Sequence, residues 1–136
     1  SRPAGGHILM LDLTGEGRVE YTGSTALGGP GTLLSGSGLP LNAWSHVAVA
    51  WGASGTRIYV NGVQDAYSQA RIYPGTDAAS YAYLNYWGGA AFGLIDELHV
   101  SNVERHSSII ASRVSGPRRV YWDGGGDGTS WHAPLN

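Results

Sequence analysis

Cysteine is absent from the 136-residue chain, which excludes a disulfide framework, a thiolate metal site and a cysteine nucleophile. The redox compartment stays open, because a secreted protein need not contain cysteine. Lysine is absent as well, all eight basic residues being arginine, so Schiff-base and lysine-base chemistry are excluded. Charged residues make up only 13%, with a net charge of −2 and a pI near 6.2, and neither a nucleic-acid footprint nor a membrane-surface patch is visible. The apolar runs fall well short of the ~20 residues of a membrane helix. A signal-peptide pattern is also missing and the chain begins at Ser1, which reads as a processed or excised piece of a longer protein.

What is present points to β structure. Hydrophobic residues reach 42% and glycines number 22, enough apolar material for one core and many tight turns between short segments. His7–Leu13 and Arg18–Thr22 read as two strands joined by a turn at Thr14–Gly17. Residues 23–40 are rich in glycine, serine and proline, with a short strand near Gly31–Leu34. Ser45–Trp51 alternates, placing Val47, Val49 and Trp51 on one face and His46, Ala48 and Ala50 on the other. Arg57–Val60, Asn61-Gly62 and Val63 form a strong hairpin signal, because a type I′ turn needs positive φ at both central residues. Gly93–Val100 alternates again, with Leu94, Asp96, Leu98 and Val100 sharing a face. Ser101-Asn-Val-Glu104 fits a capping box that opens a helix near 102–111, before Gly116-Pro117. Many short strands, one short helix and no βαβ alternation predict an all-β antiparallel sandwich over residues 1–115, followed by a separate Gly/Trp-rich segment over 116–136.

Three segments in order carry a family resemblance: Leu41-Asn-Ala-Trp-Ser-His-Val-Ala48, Ile58-Tyr-Val-Asn-Gly62 and Phe92-Gly-Leu-Ile-Asp-Glu-Leu-His-Val-Ser-Asn102. They resemble the Trp-x-His-Val-Ala strand, the Leu-Tyr-Val-Asn-Gly hairpin and the Gly-x-Ile-Asp-Glu-Val-x-Ile strand of laminin-G-like domains in the concanavalin A-like jelly-roll superfamily. Glu104–Ser107 occupies the position of that family's short Arg-Ser stretch after the third segment. The motifs cover residues 38–112, and the family's opening strands, normally upstream of the 7–22 hairpin, read as missing or compressed. The resemblance implies a jelly roll truncated at its N-terminal strands, or one whose strands another chain supplies. The tail Val120–His132 is similar to Gly/Trp-rich repeats of bacterial surface proteins, implying a secreted or cell-surface location.

Several residues are candidates for function. Asp96 sits on an apolar alternation face, where a lone carboxylate must be satisfied. In related jelly rolls the aspartate of this strand is often a structural calcium ligand, so the resemblance implies calcium at Asp96 as an alternative to backbone capping. Glu97 and His99 lie on the opposite face, either the concave ligand-facing surface of the superfamily or a solvated sheet face. The aromatic set Tyr67, Tyr73, Tyr81, Tyr83, Tyr86 and Trp87 offers flat apolar faces for sugar C–H groups, or else packs in the core or at its rim.

Catalysis finds less support. Relatives that hydrolyse glucans align acids on one strand, whereas Glu16 and Glu20 here flank Arg18, which is expected to ion-pair both and hold their pKa values down. There is no Gly-x-Ser-x-Gly elbow, no His-Glu-x-x-His and no phosphate loop, and the five histidines are scattered. These observations predict a non-catalytic recognition or adhesion module whose partner is a glycan or an extracellular protein. An enzyme fragment of the same fold is one alternative. An assembly domain that self-associates through open sheet edges is the other.

Overall fold

The computed structural model describes residues 9–74, 82–84 and 94–115. Their elements in chain order are β1 (Leu9–Leu13), β2 (Arg18–Thr25), β3 (Pro30–Gly38), β4 (Val47–Gly52), β5 (Gly55–Val60), β6 (Val63–Ser68), β7 (Ile72–Tyr73), β8 (Ala82–Leu84) and α1 (Ser107–Ser115). Two sheets result. The larger runs β3-β2-β1-β8, with β7 pairing β2, and the smaller runs β4-β5-β6. Pairing is antiparallel throughout except between β1 and β8.

The β1–β2 hairpin forms where the turn chemistry puts it. Gly17 adopts φ 74° and its N–H donates to the Thr14 carbonyl, a conformation that costs glycine nothing. β3 is longer than the short Gly31–Leu34 strand the sequence suggests, because backbone pairing needs no apolar alternation where one face is polar. Asn61 and Gly62 both have positive φ, 49° and 82°, as the type I′ turn between β5 and β6 requires. Asn61 does more than turn the chain. Its Oδ1 accepts from the His46 N–H at 2.9 Å while its own N–H donates to the His46 carbonyl at 2.8 Å, so the turn is tied to the entry of β4.

The sheets face one another across one core. Val19 and Tyr21 from the larger sheet meet Ile58 from the smaller, with Ile72 of β7 between them, all buried. Leu11, Leu13 and Leu33 pack from one side and Val47, Val49 and Trp51 from the other, which is the alternation read for Ser45–Trp51. The Tyr21 and Trp51 rings stack at 6.0 Å between centroids and 16° between planes, and the Tyr21 hydroxyl donates to the Ile72 carbonyl at 3.2 Å. Burial pushes the Tyr21 hydroxyl's pKa up, so it stays a neutral donor. On the far side of the smaller sheet, Ala50 and Tyr59 are buried against Ile110 of α1. A Cβ on Gly62 would meet the Ala111 Cα at 3.0 Å, so this glycine serves both the turn and the close seat of the helix.

Two expectations are corrected. The alternation of Gly93–Val100 does not become a strand: residues 94–100 pair with no described strand and are exposed throughout. Glu97 breaks the extension with φ 54°. The helix also starts later than a Ser101 cap predicts. Ser101 Oγ makes a local turn, accepting from the Val103 N–H at 3.4 Å, and His106 is the residue that caps α1. Its Nδ1 lies 3.3 Å from the Ser108 N–H and its carbonyl accepts from Ile109 and Ile110. Glu104, rather than reaching back to Ser101, lies over the Gly52 Cα, where its carboxylate occupies the space of a Cβ and pairs with Arg57 at 3.4 Å. The segment from residue 116 onward lies outside the described residues.

Candidate functional site

The outer face of the larger sheet differs in chemistry from that of the smaller sheet, which packs Ala50 and Tyr59 against Ile110. Because Leu11, Leu13, Val19, Tyr21 and Leu33 point into the core, strand alternation sends Asp12, Glu20, Thr22, Thr32 and Leu34 outward. Register then lines them up: Asp12 lies opposite Glu20, Glu20 opposite Leu34, and Thr22 opposite Thr32. Ser24 follows on β2, opposite Pro30 on one side and Tyr73 on the other. A row of carboxylates, hydroxyls and one aromatic ring therefore crosses β1, β2, β3 and β7.

These polar groups are held rather than free. Asp12, Thr22 and Ser24 are buried, and buried polar atoms persist only with partners. Asp12 Oδ1 accepts from the Leu13 N–H at 2.8 Å. Thr22 Oγ1 and Thr32 Oγ1 share a hydrogen bond of 2.9 Å, which fixes the exposed Thr32 hydroxyl in place. Glu20 and Tyr73 are half-buried. The Arg71 guanidinium lies 5.3 Å from the centre of the Tyr73 ring, adding a cation beside the row.

The two carboxylates flanking Arg18 are not brought together. Glu16 lies in the turn before β2, exposed, whereas Glu20 is on the sheet. Arg18 does not bridge them, which corrects the ion pair expected from spacing. Its Nε donates to the Ser35 carbonyl at 2.6 Å, where β2 and β3 slip register between Arg18 and Glu20. Sequence spacing misses this because the irregularity turns the side chain toward β3. The carboxylate neighbour of Glu20 is instead Asp12, and only the register of β1 on β2 reveals it.

The other predicted site residues scatter. Tyr67 lies on the outer face of the smaller sheet, donating to the Ser54 carbonyl at 3.0 Å and lying 4.9 Å from the Arg57 guanidinium. Tyr73 belongs to the larger sheet, and β8 places Tyr83 at the register position of Met10, one strand from Thr22. Tyr81, Tyr86 and Trp87 lie outside the described residues. Glu97 and His99 are exposed on the unpaired segment before α1 and do not share the sheet face with Asp12 and Glu20. Asp96 is exposed there too, and its Oδ1 accepts from the Glu97 N–H at 2.9 Å. Among the described residues no group of three or more His, Cys, Asp or Glu side chains could hold a metal ion. Among the described residues no helix is long and apolar enough to cross a membrane.

Comparison with known proteins agrees with this architecture. A family model for laminin G domains, described as the concanavalin A-like lectin/glucanases superfamily, matches residues 2–111. The match reaches well upstream of the three motifs, so β1, β2 and β3 fall within the family's span. No curated protein matches the chain. Among solved structures, residues 221–444 of an S-layer domain-containing protein from Clostridium thermocellum align at 18% identity with a TM-score of 0.45, covering 72% of this chain and 52% of that one. The chain thus spans about half the length of that structure, and so distant a likeness carries no argument about role. Two packed sheets, the Asn-Gly hairpin locked onto β4 and the family match over most of the length lead to one assignment: the chain belongs to the laminin G domains of the concanavalin A-like lectin/glucanases superfamily.

Proposed function

We propose that this domain is a non-catalytic recognition module of a secreted or cell-surface bacterial protein, and that it binds a glycan on the outer face of its larger sheet. The observation that carries the reading is the row of Glu20, Thr32 and Tyr73 across neighbouring strands, backed by the buried and bonded Asp12 and Thr22. A sugar offers hydroxyls that pair with carboxylates and threonines, and C–H faces that lie on aromatic rings. Groups already fixed by neighbours, as Thr32 is by Thr22, lose little freedom on binding. The fold alone assigns no function.

A glycan array probed with the whole chain tests it. Wild-type protein is expected to retain a defined set of glycans, and Glu20→Gln and Thr32→Val are expected to weaken retention at least tenfold without changing the far-UV spectrum. Undiminished binding by both variants would overturn the assignment of the face. Release of reducing sugar from β-glucans by wild-type protein, lost in Glu20→Gln, would instead favour an enzyme.

A further inference from the structure

The turn between β5 and β6 brings a reactive pair of residues together. Asparagine occurs at positions 42, 61, 85, 102 and 136, and glycine follows Asn61 alone. Asparagine is thermally labile, most of all before glycine, which has no Cβ to shield its nitrogen. In an extended or mobile chain the Gly62 amide nitrogen can reach the Asn61 side-chain carbonyl carbon. Once that nitrogen has given its proton to a solvent base, it attacks Cγ and forms a new C–N bond. The Cγ–Nδ2 bond breaks, and the side-chain amide leaves as ammonia. Water then opens the five-membered succinimide at either carbonyl. One opening leaves aspartate; the other leaves isoaspartate, with the main chain routed through Cβ.

The folded turn keeps these atoms apart. Ring closure needs the Gly62 nitrogen to eclipse the Asn61 Cβ. Asn61 and Gly62 instead hold φ values of 49° and 82°. A type I′ turn sets ψ of its first central residue at roughly +30°, which turns that nitrogen almost directly away from Cβ. The side chain is pinned as well: Oδ1 accepts from the His46 N–H at 2.9 Å, and the Asn61 N–H donates to the His46 carbonyl at 2.8 Å. Bringing the nitrogen round means rotating about the Asn61 Cα–C bond and swinging Gly62 with it. Gly62 is seated under α1, where a Cβ would come within 3.0 Å of the Ala111 Cα and 3.2 Å of the Val114 Cγ2. The rotation therefore requires α1 to lift from the smaller sheet, where Ile110 holds it against Ala50 and Tyr59.

We infer that Asn61 is a deamidation site that the folded turn keeps closed and that opens only when α1 lifts. The reaction then runs at the rate of the unfolded chain multiplied by the open fraction. Its consequence is one-way. Aspartate keeps an oxygen for the His46 N–H and leaves the backbone unaltered. Isoaspartate adds a carbon to the main chain between residues 61 and 62, and neither the paired bonds to His46 nor the fit of Gly62 under Ala111 survives it. A single hydrolytic event thereby unseats the helix that covers the smaller sheet. This inference is independent of the glycan reading, because the turn belongs to the smaller sheet.

The test is peptide mapping by mass spectrometry of the full chain, held in mildly alkaline buffer with and without denaturing urea. In urea, Asn61 is expected to deamidate before any other asparagine and to yield both products. In buffer it is expected to react at least tenfold more slowly. Ile110→Ala loosens α1 and is expected to speed the reaction in buffer at least fivefold. Val114→Ala loosens the same seat more mildly and repeats the comparison if Ile110→Ala does not fold. Equal wild-type rates in buffer and in urea overturn the inference. So does another asparagine reacting first in urea, or a folded helix variant that reacts no faster than wild type. Hydrogen exchange reads the consequence. Chain carrying isoaspartate at position 61, refolded from urea, is expected to lose protection in α1, whereas Asn61→Asp keeps it. Wild-type protection of α1 in the isoaspartate chain would overturn the one-way step.

Discussion

The two sheets share one core and differ in what they do with their outer faces. The smaller sheet turns Ala48, Ala50 and Tyr59 outward, and the chain seals them itself with Ile110 of α1. The larger sheet turns out Glu20 and Thr32 beside the buried, hydrogen-bonded Asp12 and Thr22. Small and aromatic residues on an outer face announce a lid supplied by the same chain. Bonded carboxylates and hydroxyls announce a face kept for polar contact. The contrast explains why the helix lies over the smaller sheet.

The largest effect expected from breaking this arrangement comes from the core the sheets share. Tyr21→Ala removes the ring stacked on Trp51 and the donor to the Ile72 carbonyl, and is expected to cost about 3–5 kcal/mol. Because a small domain has only ~5–15 kcal/mol in total, urea denaturation should show a midpoint shifted far down or no folded baseline. The next effect separates the sheets. Ile110→Ala uncovers the outer face of the smaller sheet alone and is expected to cost about 2–3 kcal/mol. Hydrogen exchange should rise in α1 and β5 while β1 and β2 keep their protection. Equal loss in both sheets would show that the helix lid stabilises the whole sandwich rather than one face. Gly62→Ala acts on the same lid from the turn. A side chain there suffers positive φ and meets the Ala111 Cα, for an expected cost of about 1–3 kcal/mol in the same denaturation experiment.

The smaller sheet was the legible one. Its strands follow apolar alternation, its turn is an Asn-Gly pair, and both signals are local. The outer face of the larger sheet was not legible, because Asp12 and Glu20 become neighbours only through the β1–β2 register and Thr22 and Thr32 only through β2–β3. Pairing between residues distant in sequence leaves no local pattern. Arg18 shows the same limit in reverse: its spacing between two glutamates suggested an ion pair, and an irregular register sent it to the Ser35 carbonyl. Residues 94–100 show a third kind of failure. Their alternation is genuine strand vocabulary, but a strand needs an edge, and no described strand of this chain provides one to them.

The smallest effect probes where the two sheets meet at their rims. Asp65 on β6 accepts from the Ser37 hydroxyl at 2.7 Å and from the Ser37 N–H at 3.0 Å, clipping the smaller sheet to β3 of the larger. The Ser37 hydroxyl, then the Ser37 and Gly36 amides and the nearby Arg18 charge, hold the Asp65 carboxyl below its ordinary value despite a small opposing effect of burial. A carboxylate lowered in the folded state binds its proton more readily when unfolded. Its stabilising contribution is therefore complete above the unfolded pKa of about 3.9 and fades as pH falls through the lower folded value. Asp65→Asn should be less stable than wild type at pH 7, and the gap should narrow steadily from about pH 5 downward. Since Asp65 is largely solvent-accessible, the gap is a fraction of what the core variants show. A gap that stays constant from pH 7 to pH 3 would mean that the clip works through geometry alone, and that charge plays no part in joining the two sheets.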